Sequence, residues 1–300
     1  MTDFNRMAVF AAVVEQGSMS AAGRRLGMST SAVSQHLRAL EQSYGVTLLH
    51  RSTRKLTLTD AGQRFARHCQ AMVAAAEQAQ QQLRMTRDAP VGQLRIAAPV
   101  GFARHVAPAL APLLAANPGL DLYLMVADEL IDLIDARIDL ALRGGRLPDS
   151  SWVARRMCEL GMLLCAAPGY LAQRGTPRVP SDLLAHQWMG LPQGEAGLQL
   201  TLDDASGHCE TLRLEPRITS NNQLSLQQMC VAGLGIARMV RADVQDDLHI
   251  GRLVAVLPDW QVPGIATWAV TPQRDAQPAK VRFAIDALQA YLAKLPGAVA

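Results

Sequence analysis

Residues 17 to 41, GSMSAAGRRLGMSTSAVSQHLRALE, hold two short apolar periodicities separated by one glycine, and few folds accommodate such a pattern. An earlier helix is marked by Met7, Phe10, Ala11 and Val14 at i, i+3, i+4 and i+7, and Gly17 stops it. Ser18 is placed to cap a second helix whose core face is Met19, Ala22, Gly23 and Leu26. Gly27 predicts a left-handed end to that helix, and Ser29 predicts a cap for a third beginning near Thr30. Gly23 costs its helix about 1 kcal/mol relative to alanine, which makes sense only where space is tight.

On a helical wheel with Val33 at the origin, Leu37 and Leu40 lie within about 40° and form a buried stripe. Ser31, Ser34, Gln35 and Arg38 lie between about 100° and 200°, away from that stripe. Two short helices with a tight glycine turn predict a helix-turn-helix, whose second member enters the major groove. Hydroxyls, an amide and a guanidinium can bond base edges and phosphates. The same pattern also fits a solvated face on a small helical bundle, and the helix pair alone does not separate the two. The next stretch, YGVTLLHRSTRKLTLTDAG, offers two strand-like pieces, VTLLH and KLTLT, around Arg51, Ser52, Thr53 and Arg54. A basic hairpin directly after a helix-turn-helix is a wing, and its arginines and Lys55 suit phosphates or a minor groove.

As a whole this run resembles the winged helix-turn-helix of LysR-type transcriptional regulators. The resemblance is carried by Gly-Ser before the second helix, A-V-S-Q-H-L-x-x-L-E through the third, L-L-H-R at the wing and L-T-D-A-G after it. It implies that the third helix reads duplex DNA and the wing anchors it. The expected DNA contacts are Ser29, Thr30, Ser31, Ser34, Gln35 and Arg38, with His50, Arg51, Thr53, Arg54 and Lys55 from the wing. Two departures are small: Gly23 stands where alanine is commoner, and Leu49-His50 replaces a phenylalanine-variable pair.

The charge agrees with a polyanion at one end. Residues 1–90 carry 11 Lys and Arg against 6 Asp and Glu, a net +5, whereas the rest carries 18 against 20, a net −2. From Phe65 a seam of Phe65, Cys69, Met72, Ala76, Ala79 and Leu83 repeats in steps of four and three, the spacing of a coiled coil. It predicts a dimerising helix, and the resemblance adds tetramers made from two dimers.

Pro90 and Gly92 mark a boundary. Beyond it QLRIAAP reads as a strand, FARHVAPALAPLLAANP as a helix, LDLYLMVAD as a strand, ELIDLIDARI as a helix and DLALRGG as a strand. Strands alternating with helices imply a mostly parallel sheet. Two apolar runs, MCELGMLLCAAP and GIATWAVTP, fit strands crossing between two α/β lobes, and a last helix spans about Ala279 to Ala293. LRIAAPVGF, DLALRGGRLPDSSWVARR and ITSNN-x12-GI resemble the LysR-type effector domain, a two-lobed fold similar to type 2 periplasmic binding proteins. Where that family usually has an acidic-glycine pair, this chain has Ala136-Arg137.

The fold class is therefore α/β overall. A winged helix-turn-helix (1–60) and a linker helix (61–89) precede an effector domain (90–300), with lobe I at about 90–163 and 267–300 and lobe II at about 164–266. In such folds a ligand sits between the lobes, at strand ends and helix N-termini that favour anions. Three loops are expected to converge: Pro99, Val100, Gly101 and Phe102; Arg143, Gly144 and Gly145; and Ser220, Asn221 and Asn222. Arg143 is suited to a carboxylate, with Ser220 and Asn221 bonding it; equally, Arg143 fits a strand-end salt bridge and the Ser-Asn pair a helix cap. The first loop lacks the hydroxyl many family members have, which favours an apolar or aromatic ligand. His105 is read as a helix residue.

No nucleophile elbow, P-loop, dinucleotide fingerprint or H-E-x-x-H pair is present, so neither an enzyme nor a metal site is expected. No cofactor is expected beyond a small-molecule effector. Five cysteines without C-x-x-C fit buried free thiols; the alternative is a redox switch through Cys158 and Cys165. A small-molecule-binding protein without DNA binding accounts for the second region only. No run nears the roughly 18 apolar residues of a membrane span, and the start lacks a secretory n-region. A cytoplasmic regulator follows, with double-stranded DNA, an effector, further copies of itself and RNA polymerase as partners.

Overall fold

Capping and glycine chemistry set the first elements of the computed structural model, which describes residues 3–51, 56–129, 132–147, 152–192, 198–272 and 277–299. The chain divides into two units, Met1–Met85 and Thr86–Ala300. In the first, α1 (Asp3–Gln16) stops before Gly17. The Ser18 hydroxyl accepts the Ala21 N–H at 3.3 Å and starts α2 (Met19–Leu26). The Ser29 hydroxyl accepts the Ala32 N–H at 3.1 Å and starts α3 (Thr30–Tyr44). Gly27 between them is left-handed at φ +65°, where a side chain is strained. A Cβ on Gly23 would stand 2.7 Å from the Met28 carbonyl oxygen. The tight neighbour is thus the turn's own backbone.

Val33, Leu37 and Leu40 are fully buried against Val9, Phe10 and Val13. Leu26, expected on the same core, is the last residue of α2 and 37% exposed, so the buried face ends at Gly23. The wing strands β1 (Leu49–Arg51) and β2 (Leu56–Leu58) pair antiparallel. The Glu41 carboxylate on α3 accepts the Leu48 and Leu49 N–H groups at 2.8 and 3.1 Å, fastening helix to wing. Thr59 then caps α4 (Asp60–Asp88), accepting the Gly62 N–H at 2.9 Å and donating to the Thr47 carbonyl at 2.8 Å. A Cβ on Gly62 would collide with the Leu48 carbonyl. The L-T-D-A-G motif is therefore a close joint between wing and long helix.

In the second unit β3 (Gly92–Ala98) leads through α5 (Val100–Ala116) to β4 (Leu120–Val126), and β5 (Leu140–Gly144) completes a parallel trio. The helix expected over ELIDLIDARI does not form among its described residues. Asp132 Oδ1 takes the Ile134 and Asp135 N–H groups at 2.8 and 3.2 Å, and Arg137 is left-handed at φ +52°. An aspartate bonding nearby N–H groups competes with the helical ladder and favours turns.

The long strand β6 (Val153–Ala166) enters the second lobe. There follow α6 (Pro168–Arg174), β7 (Trp188–Gly190), the hairpin β8 (Leu198–Asp204) and β9 (Cys209–Leu214), β10 (Pro216–Thr219), α7 (Gln223–Val231), β11 (Ile236–Val240), α8 (Gln245–His249) and β12 (Val254–Val256). The return strand β13 (Trp260–Thr271) leads to α9 (Ala279–Leu292), which packs beside α5. The main strand order is β10-β7-β11-β6-β13-β5-β3-β4. Because β6 and β13 run antiparallel to each other and to their neighbours β11 and β5, the sheet is mixed rather than mostly parallel. The lobe change is visible in packing: Leu160 and Ile265 join the core with α5 and α9, whereas Leu164 and Val262 join the core around Trp188.

Candidate functional site

The wheel of α3 turns out as its sequence spacing dictates. Ser31, Gln35 and Arg38 are exposed and Ser34 is half-buried, on the side away from the buried leucines. Ser29 and Thr30, at the helix start, are exposed as well, and the Ser29 and Ser31 hydroxyls bond each other at 2.9 Å. Gln35 and Arg38 have no hydrogen-bond partner among the described residues, so their donors are available to a ligand. His50 on β1 is exposed. Thr53, Arg54, Lys55 and the side chain of Arg51 lie outside the described residues.

The predicted pairing seam splits. Phe65 packs on Phe10 and Tyr44, at centroid distances of 5.6 and 6.4 Å, and Cys69 is buried in the same core. These two serve the head rather than a partner helix, because α4 must first be fastened to α1 and α3. Met72 is half-buried, and Ala76, Ala79 and Leu83 are exposed in the single chain, Leu83 at 72%. Burial pushes the Cys69 thiol up to about 11, so it is a protonated core group.

Between the lobes lies a cleft of about 290 Å³. Pro99, Gly101, Phe102, Gly144 and Asn221, all expected there, line it. Val100, Arg143, Gly145, Ser220 and Asn222 do not, for local reasons. Asp128 Oδ1 accepts the Val100 N–H at 2.9 Å. Successive strand residues face opposite sides, and Arg143 shares its side of β5 with Ala141, whose cluster includes Trp152 and Trp268. Gly145 sits in a turn at φ +81°, its N–H bonded to the Ala266 carbonyl and its carbonyl to Trp268 Nε1. The Ser220 hydroxyl accepts the Asn222 N–H at 3.1 Å, and Asn222 caps α7 through Ser225. The helix cap is thus Asn222, whereas the Ser-Asn pair read as a cap was Ser220 and Asn221, and Asn221 lines the cleft.

Other cleft groups have only faint sequence signals. His105 is on α5, and its Nε2 lies 2.8 Å from Asp243 Oδ1 across the cleft. Arg104 adds a bond to the Asp243 carbonyl at 2.6 Å. Asp128 Oδ2 accepts the Asn222 side-chain amide at 2.8 Å. Most consequential is Arg238, mid-way along β11, whose guanidinium burial pushes below its ordinary value. Its signal was the one charge inside the apolar run GIARMV.

The thiols proposed as a switch do not meet. Cys158 and Cys165 lie seven apart on β6, hence on opposite faces. Cys158 contacts the Thr267 hydroxyl at 3.1 Å, while Cys165 faces Cys230 at 4.0 Å. The bond with Cys230, together with burial, pushes the Cys165 thiol up. Among the described residues no group of three or more His, Cys, Asp or Glu is arranged to hold a metal.

A winged head with an exposed polar helix face, joined to a two-lobed domain with a cleft, defines the class: a transcription regulator that carries its own small-molecule-binding domain. Residues 4–63 match the model of the bacterial regulatory helix-turn-helix protein, lysR family, and residues 87–293 match that of the LysR substrate binding domain. The chain belongs to the LysR family of transcriptional regulators. It is 35% identical to the HTH-type transcriptional activator AaeR of Escherichia coli, covering 98% of this chain and 96% of that one. To the regulator PtxR of Pseudomonas aeruginosa it is 33% identical, over 98% and 94%. It is also similar to the full-length structure of the Vibrio cholerae virulence activator AphB, with TM-score 0.68 and 29% identity over 96% and 98% of the two chains.

Proposed function

We propose that the chain reads a specific operator through the exposed side chains of α3, works as a homodimer or a pair of dimers, and changes its DNA-bound state when a small effector fills the inter-lobe cleft. The observation that carries this is the exposed face of α3: Gln35 and Arg38 have no hydrogen-bond partner among the described residues, while the opposite side is locked in the core. Amide and guanidinium groups are those that pair bidentately with adenine and guanine edges. Twofold presentation lets each half-site supply part of the specificity. The protein acts in the cytoplasm, where its DNA is, it needs no cofactor besides the effector, it catalyses no reaction, and RNA polymerase is its partner at the promoter.

Gel-shift titration against the operator recovered from bound genomic fragments tests the base-reading claim. Gln35→Ala and Arg38→Ala should each weaken operator binding by about 1–3 kcal/mol while leaving random duplex binding nearly unchanged. Equal losses on both duplexes would reduce these side chains to phosphate contacts.

A further inference from the structure

The crossing strands hold a joint that the chemistry of the cleft does not use. β13 and β6 pair as Val262 with Met162 and next as Ile265 with Leu160, so the ladder loses register across Pro263 and Gly264. Proline brings no N–H to a ladder. A Cβ on Gly264 would stand 2.5 Å from Glu159 Oε1, so the missing side chain is what lets that carboxylate lie against the bulge. The core changes hands on the same short stretch. Leu160 belongs to the lobe I core, whereas Leu163 and Leu164 belong to the two cores of lobe II.

At this point the other edge of β6 passes from one partner to another. β11 of lobe II pairs with residues 162–165, and just past it the Arg241 N–H reaches the Gly161 carbonyl at 2.9 Å. Two residues earlier the partner is Val299, in the segment that follows α9. The Glu159 N–H donates to the Val299 carbonyl at 2.7 Å, and the Val299 N–H donates to the Glu159 carbonyl at 2.8 Å. The Val299 side chain is 65% exposed, so this backbone bridge holds the segment there rather than burial of valine. Leu295 and Ala298 anchor the same segment on the lobe I core. Gly297, left-handed at φ +76°, lies against both sides of the joint: a Cβ there would stand 3.1 Å from Arg241 Cδ and 3.6 Å from Gly161 Cα. Its carbonyl oxygen is 2.6 Å from where a Cβ on Gly161 would be.

Lobes swing about a few residues that absorb the backbone change. Here β6 can bend only between the Arg241 bond, which moves with lobe II, and the Val299 bridge, which moves with lobe I. Gly297 is packed between those two points, so bending must slide or peel the segment. We propose that the lobes turn about Gly161 and Pro263–Gly264, and that residues 295–299 form a strap across this hinge that holds the resting arrangement. The strap acts in the protein alone, so the inference does not depend on what fills the cleft.

The test compares the full-length protein with a form lacking residues 297–300 and with Gly161→Ala, whose Cβ must push the Gly297 carbonyl away. The truncation takes only one half-buried side chain among the described residues, Ala298, and leaves Leu295 in place. All three proteins carry ¹³C-methyl methionine, and relaxation dispersion without ligand reads exchange on the μs–ms scale of domain motion. Met189 lines the cleft from β7 in lobe II, Met162 lines it beside the hinge, and Met157 is in the lobe I core. Loss of the two backbone bonds should raise the population of the second lobe arrangement roughly 10-fold. Exchange should then appear at Met162 and Met189 in both variants, while Met7 and Met19 in the head keep the parent's values. Cleft methyls with the parent's dispersion in the truncated protein overturn the strap. Exchange at Met157 with none at Met189 overturns it as well, because the segment then only seals the lobe I core.

Discussion

At the scale of single residues, the departures from the family pattern carry the most physical information. Arg137 stands where a glycine is usual, and its backbone is left-handed at φ +52°, its N–H bonded to the Ile134 carbonyl at 2.9 Å. An L side chain in that region costs about 1–2 kcal/mol. Glycine would relieve this but lose about 0.5–1 kcal/mol of backbone entropy on folding. Arg137→Gly should therefore stabilise the second unit by about 0.5–1 kcal/mol, read as a higher urea midpoint at an unchanged slope. A lower midpoint would mean that the Arg137 side chain contributes more than its backbone costs. Gly23 is the opposite departure: it stands where alanine is commoner, and a Cβ added there would lie 2.7 Å from the Met28 carbonyl oxygen.

Among the elements, local ones and the two crossing strands β6 and β13 were legible, whereas the facing of single strand residues and the sheet's mixed pairing were not. The α3 stripe, both serine caps and the glycine turn follow from spacing and backbone chemistry within 25 residues, and all take the expected form. The cleft depended on which side of a strand a residue faces. Arg143 misses it by one position, since Gly144 next to it lines the cleft, and Arg238 entered from a strand whose pairing with β6 no local pattern reveals. The ELIDLIDARI segment has helical spacing, yet Asp132 turns the chain first. The linker helix shows both behaviours. Its seam is periodic throughout, but Phe65 and Cys69 are consumed by the head while Ala76, Ala79 and Leu83 stay exposed. Under the proposed dimer, Leu83, 72% exposed in the single chain, is the bulkiest exposed side chain on the seam. Leu83→Glu should shift the chain toward monomer in sedimentation equilibrium while changing stability by no more than about 0.5 kcal/mol, as for other surface positions. Unaltered self-association would place the dimer contact elsewhere.

For the whole molecule, regulation requires that cleft and DNA face share one equilibrium. The lobes are already linked without ligand, through His105 to Asp243 and Asp128 to Asn222, and the cleft walls come from both sides. A ligand spanning Arg238 in one lobe and Phe102 in the other gains its full affinity only when the lobes hold the arrangement that brings both to it. It can therefore bias DNA binding only as far as its affinity differs between arrangements. Linkage makes this quantitative: the factor by which the effector changes operator affinity must equal the factor by which operator changes effector affinity. For the effector of the cleft, calorimetry of the protein alone and of the protein–operator complex should give two affinities that differ by roughly 5- to 150-fold, the usual span of such coupling. Gel shifts with and without effector should return the same factor. Asp128→Ala, which removes the acceptor shared by Val100 and Asn222, should weaken the effector on free and DNA-bound protein alike, since it loosens the walls without touching the face of α3. Two unequal factors for the parent protein would show that cleft and DNA face do not answer to a common conformational change.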